Sequence, residues 1–253
     1  MRFVLVHGSR HGAWCWKYVV DELSRRGHET EAVDLPGHGE RGDEDQTFEG
    51  YRDAVVSALR PGDVLVGHSM GCGVSVVAAD AFPDIGHLCL LAGMLPVEGG
   101  PMIEIAGDLD QFIGTITKND QSVGLAADGD HLLIDYDNAR ARYYHDCPGD
   151  VARWAYDRLV PQRASVMFTR VSLPRFWAAD IPRSYILCTD DRAFLSRDSA
   201  QAIRRLGVQP LSIHASHSPF LSCPATLVDT ILRAVGTKPV GPLLPTATDP
   251  SVV

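Results

Sequence analysis

The sequence has no apolar run long enough to cross a membrane as a helix. Its first apolar run, Phe3 to Val6, stops at His7-Gly8, too short for a secretory signal, so a cytoplasmic location is expected. Basic residues are in deficit. The 23 Lys and Arg stand against 32 Asp and Glu, a formal net charge of -9, which argues against a nucleic-acid or anionic-membrane partner. The six cysteines (Cys15, Cys72, Cys89, Cys147, Cys188, Cys223) lack C-x-x-C spacing and read as small buried hydrophobes in a reducing compartment. Nothing repeats at metal-ligand spacing. His131, His145, Asp146 and Cys147 read as a chance cluster, and Asp128-Gly129-Asp130 lacks the glutamate that closes an EF-hand loop. No metal and no organic cofactor is implied, and no internal repeat is present.

What remains is a chain of 253 residues with 45% hydrophobic content, enough to bury a full core as one α/β domain with an insertion. Phe3 to Val6 is a continuous apolar run of the kind a strand shows when both its faces are covered. Ala13 to Arg26 carries apolar residues at helical spacing and stops at Gly27. A strand over Thr30 to Val33, a helix from Thr47 to Leu59, a strand over Val64 to Val66, a helix from Ser69 to Ala81 and a strand over His87 to Ala92 continue the alternation. That beat implies a mostly parallel sheet with helices on both faces.

The beat breaks from Gly93 to about Asp180, and an excursion this long is most simply a helical lid over a site. Short helices are expected over Asn138 to Tyr144 and Asp150 to Leu159, and Leu109 to Ile116 is short and apolar. Strand Tyr185 to Cys188, helix Ser199 to Leu206, strand Gln209 to Ile213 and helix Pro224 to Val235 then complete the core. The expected organisation is a core of residues 1–93 and 181–235, a lid of 94–180, and a mobile tail of 236–253 that carries four prolines.

Chemistry points to Gly67-His68-Ser69-Met70-Gly71, a G-x-S-x-G pattern set between a buried-type strand and a helix. The bare pattern is weak; its placement is not. Such a turn raises Ser69 at its apex, with the Met70 N–H at the helix N-terminus turned toward a developing oxyanion. A serine hydroxyl needs a base, and the base needs an orienting acid. Strand 185–188 runs into Thr189-Asp190-Asp191-Arg192, and the last strand runs into His214-Ala215-Ser216-His217. Spacing past the strand end favours Asp191 as the acid, with Asp190 as a turn or capping residue. His217, in the loop before the last helix, is the expected base, while His214 falls within the strand pattern. A second oxyanion donor belongs in the loop after the first strand, where Ser9 N–H is the first candidate and Arg10 the second. His7 is expected to pack beneath that loop. Gly8, Arg10, His68 and Trp154 are the remaining substrate-side candidates.

Val4-Leu5-Val6-His7-Gly8 with Gly12-Ala13-Trp14, Asp34-Leu35-Pro36-Gly37-His38-Gly39, the Ser69 motif, Cys188-Thr189-Asp190-Asp191 and His217 together resemble the α/β-hydrolase superfamily. Within it the likeness is greatest to the branch of plant methylesterases, hydroxynitrile lyases and bacterial EstC-like carboxylesterases. In that branch the acid follows a Cys-Thr-x-Asp pattern, which maps to Asp191. The lyases carry a threonine where this chain has Gly8 and a lysine where it has Ser218, so the resemblance implies an esterase. The expectation is a serine hydrolase of small to medium, largely uncharged carboxylic esters, its lid lined by Met94, Leu95, Phe112 and Trp154. A small-molecule receptor on the same scaffold, or lyase or cofactor-free oxygenase chemistry, is the alternative. Monomer and homodimer are both compatible with the sequence.

Overall fold

The computed structural model describes residues 1–103, 124–194 and 196–246, the last of these without the side chains of 196–198. Six parallel strands form the central sheet: β1 (Arg2–Val6), β2 (Glu29–Val33), β3 (Val64–His68), β4 (His87–Leu91), and the later β8 (Arg183–Cys188) and β9 (Leu211–Ile213), in the order β2-β1-β3-β4-β8-β9. The inner strands β1, β3 and β4 are buried and mostly apolar because both sheet faces are covered there, while the edge strand β2 (ETEAV) is largely exposed. Along β1 the side chains alternate between two cores. Val4 and Val6 join one cluster, packed under α2 (Phe48–Ala58) and α3 (Met70–Ala81). Phe3 and Leu5 join the other, with residues of α1 (Lys17–Arg25) and of the closing helix α10 (Pro224–Val235).

Between β4 and β8 the chain builds a three-stranded antiparallel sheet, β5 (Gly124–Leu125), β6 (His131–Leu133) and β7 (Gln162–Arg163), in the order β5-β6-β7. It also forms α4 (Tyr136–Tyr143), α5 (Gly149–Tyr156) and two short helices, α6 (Ala164–Met167) and α7 (Pro174–Ala178). Periodicity shows α4 and α5 but not the small sheet, whose strands are too short for a two-residue alternation to register. Phe112 and the apolar run 109–116 lie outside the described residues. The insertion is no detached flap: Tyr144, Cys147, Ala152 and Ala155 belong to one core and Leu132, Val166 and Met167 to the other.

Three expectations change. The first helix opens as a 3-10 turn over Ala13–Trp16, and the α-helix begins only at Lys17. An additional short helix, α9 (Pro219–Ser222), precedes α10, and α8 (Ser196–Leu206) lies between β8 and β9. The tail is held over part of its length. Val240 N–H and Gly241 N–H donate to Gly207 O, Leu244 N–H to Arg205 O, and Glu98 N–H to Pro245 O. Two buried guanidinium groups fasten the same segment, Arg183 to Gly241 O at 2.7 Å and Arg205 to Leu244 O and Pro245 O at 3.1 and 3.0 Å. Proline-rich composition signals a segment without its own secondary structure; the distant arginines supply its backbone partners instead.

Candidate active site

Non-glycine residues with a left-handed backbone are rare, and strained ones gather where function needs them. Among the described residues there are three: Arg10 (φ 66°), Ser69 (φ 54°) and Ala92 (φ 46°). They sit at or just past the C-terminal ends of the neighbouring strands β1, β3 and β4, the end at which open α/β sheets bind ligands.

Ser69 is the residue between β3 and α3. Its N–H donates to Leu91 O at 3.0 Å and its C=O accepts from Cys72 N–H at 3.0 Å, which pins the bend from both sides. The flanking glycines are there for proximity. A Cβ at Gly71 would lie 2.4 Å from His7 O, and one at Gly67 2.5 Å from Ser75 Oγ, so the helix comes within backbone contact of β1 and β3 only without side chains. Gly8 is equally constrained, since a Cβ there would stand 2.9 Å from both Ser69 Cβ and His68 Nδ1.

His217, 4% exposed, places Nδ1 2.7 Å from Asp191 Oδ2, and Asp191 is 7% exposed. Asp191 Oδ1 accepts from the N–H groups of Ala193 and Phe194, both at 2.8 Å, so both oxygens are engaged and the carboxylate cannot rotate freely. Asp190 is turned away, with its carboxylate toward His145 Nδ1 at 3.8 Å. His214 is exposed and lies 3.2 Å from Thr189 Oγ1, remote in role from His217. Ser69 Oγ and His217 Nε2 have no hydrogen-bond partner among the described residues.

His68, expected on the substrate side, is fully buried instead. Its Nε2 donates to His217 O at 2.8 Å and its ring centroid lies 4.6 Å from that of His217, so it props that residue from beneath. Burial, and then the neighbouring His217, hold its pKa well below the ordinary value. The neutral ring with hydrogen on Nε2 leaves Nδ1 as an unpartnered acceptor, the atom that faces Gly8. His7 does pack under its loop: Nδ1 donates to Gly8 O at 2.8 Å and Nε2 accepts from Leu35 N–H at 3.1 Å. Trp154 packs on an aromatic neighbour and a cation. It meets Trp14 edge-on at 5.4 Å, under the Arg158 guanidinium at 4.5 Å.

The two oxyanion candidates of the first loop separate on geometry. Arg10 N–H faces Gln162 Oε1 at 3.4 Å, while Ser9 N–H has no acceptor among the described residues. Met70 is the first residue of α3, and a first-turn N–H has no partner within its own helix.

Three residues to which the sequence reading gives no role hold this arrangement. Gln162, fully buried, donates from Nε2 to Gln46 Oε1 and Tyr51 OH, each at 3.1 Å, and so ties β7 to the core beside the first loop. His145 Nε2 donates to Asp190 O at 2.9 Å, and Asp146 Oδ2 accepts from Ser216 N–H at 2.8 Å. Burial acts to raise the Asp146 pKa, but hydrogen bonds from Ser216 and Ser222 outweigh it, and the net direction is down. One turn of the insertion thus grips the loop of Asp191 and the loop of His217 together. The only sequence signal was the His145-Asp146-Cys147 cluster, whose partners lie 45 and 70 residues away.

The profile of the alpha/beta hydrolase family matches residues 3–230. Methylesterase 9 of Arabidopsis thaliana is 28% identical over 256 residues, 94% of this chain and 99% of that protein. Esterase PIR7B of Oryza sativa subsp. japonica is 45% identical over 111 residues, a match that spans 40% of this chain and 41% of that protein. The crystal structure of a methylesterase from Arabidopsis superposes with a TM-score of 0.75 at 27% identity, covering 93% of this chain and 99% of that one. The chain belongs to the α/β-hydrolase family, on the branch that holds plant methylesterases.

Proposed function

We propose that this carboxylic ester hydrolase works through an acyl-enzyme formed on Ser69. Ser69 Oγ attacks the ester carbonyl and His217 Nε2 takes its proton, then passes it to the departing alcohol. Asp191, accepting from Nδ1–H, selects the tautomer of the neutral ring whose Nε2 is the acceptor and stabilises the imidazolium once it forms. The N–H groups of Ser9 and Met70 receive the charge on the carbonyl oxygen, and water, activated by His217 in turn, releases the acid. The observation that carries the reading is the buried 2.7 Å contact between His217 and Asp191 beside a serine held at φ 54°. Burial of a carboxylate against an imidazole is costly unless the imidazole is to be charged, as it is here in the transition state.

The test uses p-nitrophenyl acetate and a fluorophosphonate probe. Wild type is expected to turn over the ester and to be labelled at Ser69, found by mass spectrometry of the peptide; Ser69→Ala is expected to lose both. Turnover that survives in Ser69→Ala would sink the acyl-enzyme.

A further inference from the structure

Arg10 has no part in the chemistry above, yet it is built into the site. It follows Gly8 by two residues and is 5% exposed. Its backbone is held from both sides by the insertion, Arg10 O accepting from Val160 N–H at 3.0 Å and Arg10 N–H facing Gln162. A guanidinium keeps its charge at any pH the fold survives, and a buried charge is normally matched by an opposite one. Among the described residues no carboxylate pairs with Arg10. Nη1 donates to two neutral oxygens, Tyr143 OH at 3.2 Å and Ser9 Oγ at 3.4 Å. Nε is buried without a partner, and Nη2 makes no hydrogen bond among the described residues. A desolvated charge, an orphaned donor and a left-handed backbone all cost stability, and no described carboxylate offsets them.

The position explains the expense. Tyr143, which holds the guanidinium, lies with its ring 5.7 Å from that of His217, and Gly8 abuts Ser69. The geometry points to Arg10 as an anion-recognition residue of this site: the ester it serves carries a second, negatively charged group, a carboxylate, received by Nη2 beside the Tyr143 hydroxyl. One guanidinium corner and one hydroxyl match a singly charged planar group. The substrate class becomes the half-esters of dicarboxylic acids and their relatives, in place of the uncharged esters that an apolar lid suggests. The inference rests on the ester-hydrolase reading.

Monomethyl glutarate and methyl glutaramate share a leaving alcohol and differ only by carboxylate against amide, and their hydrolysis is followed by proton release. Wild type is expected to favour monomethyl glutarate in kcat/KM by about tenfold or more. Arg10→Gln is expected to bring that ratio to about one, chiefly through KM, with Arg10→Lys restoring part of it. Isothermal titration of Ser69→Ala with monomethyl glutarate gives a readout without turnover, and adding Arg10→Gln is expected to raise Kd about tenfold. A wild type with no preference, or with preference for the glutaramate, refutes the anion site whatever the variants do, and leaves the hydrolase reading standing. A double variant that binds as tightly as Ser69→Ala also refutes it. If wild type hydrolyses neither ester while the double variant loses binding, the anion site stands and the hydrolase reading falls.

Discussion

Asp191→Asn replaces one atom and reverses the logic of the base. Asp191 Oδ1 accepts two backbone N–H groups at 2.8 Å and Oδ2 accepts His217 Nδ1–H at 2.7 Å. An asparagine that keeps its oxygen on Ala193 and Phe194 turns its NH2 toward His217. That donor selects the tautomer with hydrogen on Nε2, the atom that must accept the Ser69 proton. Regaining the productive tautomer means either opposing two donors or flipping the amide and stranding two part-buried N–H groups. At about 1 to 3 kcal/mol for each of the two groups left unpaired, the barrier rises by about 2 to 6 kcal/mol, a loss of about thirtyfold to twenty-thousandfold in kcat. The fold is expected to survive, because packing around the site is unchanged. Turnover of p-nitrophenyl acetate at pH 7.5 beside a circular-dichroism melt checks both, with Asp190→Asn as control, expected within about threefold of wild type because its carboxylate is exposed. Asp191→Asn within tenfold of wild type, with its melt intact, would refute the assignment of base and acid.

Gly8→Ala forces a methyl against Ser69 Cβ and His68 Nδ1, both at 2.9 Å, and relief requires moving the nucleophile. Expected are a drop in kcat of about tenfold to a hundredfold and a loss of about 1 to 3 kcal/mol in urea unfolding; wild-type values for both would show that the loop has room. Asp146→Ala frees Ser216 N–H and loosens the His217 loop, so kcat should fall about tenfold with KM within about twofold, a split read from initial rates. An unchanged kcat would mean that the loop needs no such anchor. Stability should decline as pH drops below about 6.5. Burial holds His7 and His68 neutral and pushes His11 down to about 3, so the unfolded chain takes up protons that the folded one refuses. Each such ring costs about 1.4 kcal/mol per pH unit until its folded pKa is reached. Urea midpoints that stay flat from pH 6.5 to 4.5 would contradict this.

Much of the molecule follows from local sequence. β1, β3 and β4 are legible because strands covered on both faces must be apolar at every position, and Pro224–Val235 because its proline start and apolar stripe are contained within the helix itself. Ser69 and His217 stand in short turns whose chemistry is set by adjacent residues. Between Asp190 and Asp191 spacing gives a preference; the fold turns one carboxylate to His217 and the other to His145. The remaining assignments belong to tertiary structure. Trp154 has the composition of a pocket residue, but α5 faces it to Trp14. His68 reads as a substrate-side residue but is buried against His217; His145 and Asp146 read as scatter and grip two loops. A polar side chain takes its role from the partner it meets, and these partners lie tens of residues away in the chain. Burial then magnifies that choice, because a polar group removed from water must find its partner within the protein or leave a donor such as Arg10 Nε unsatisfied.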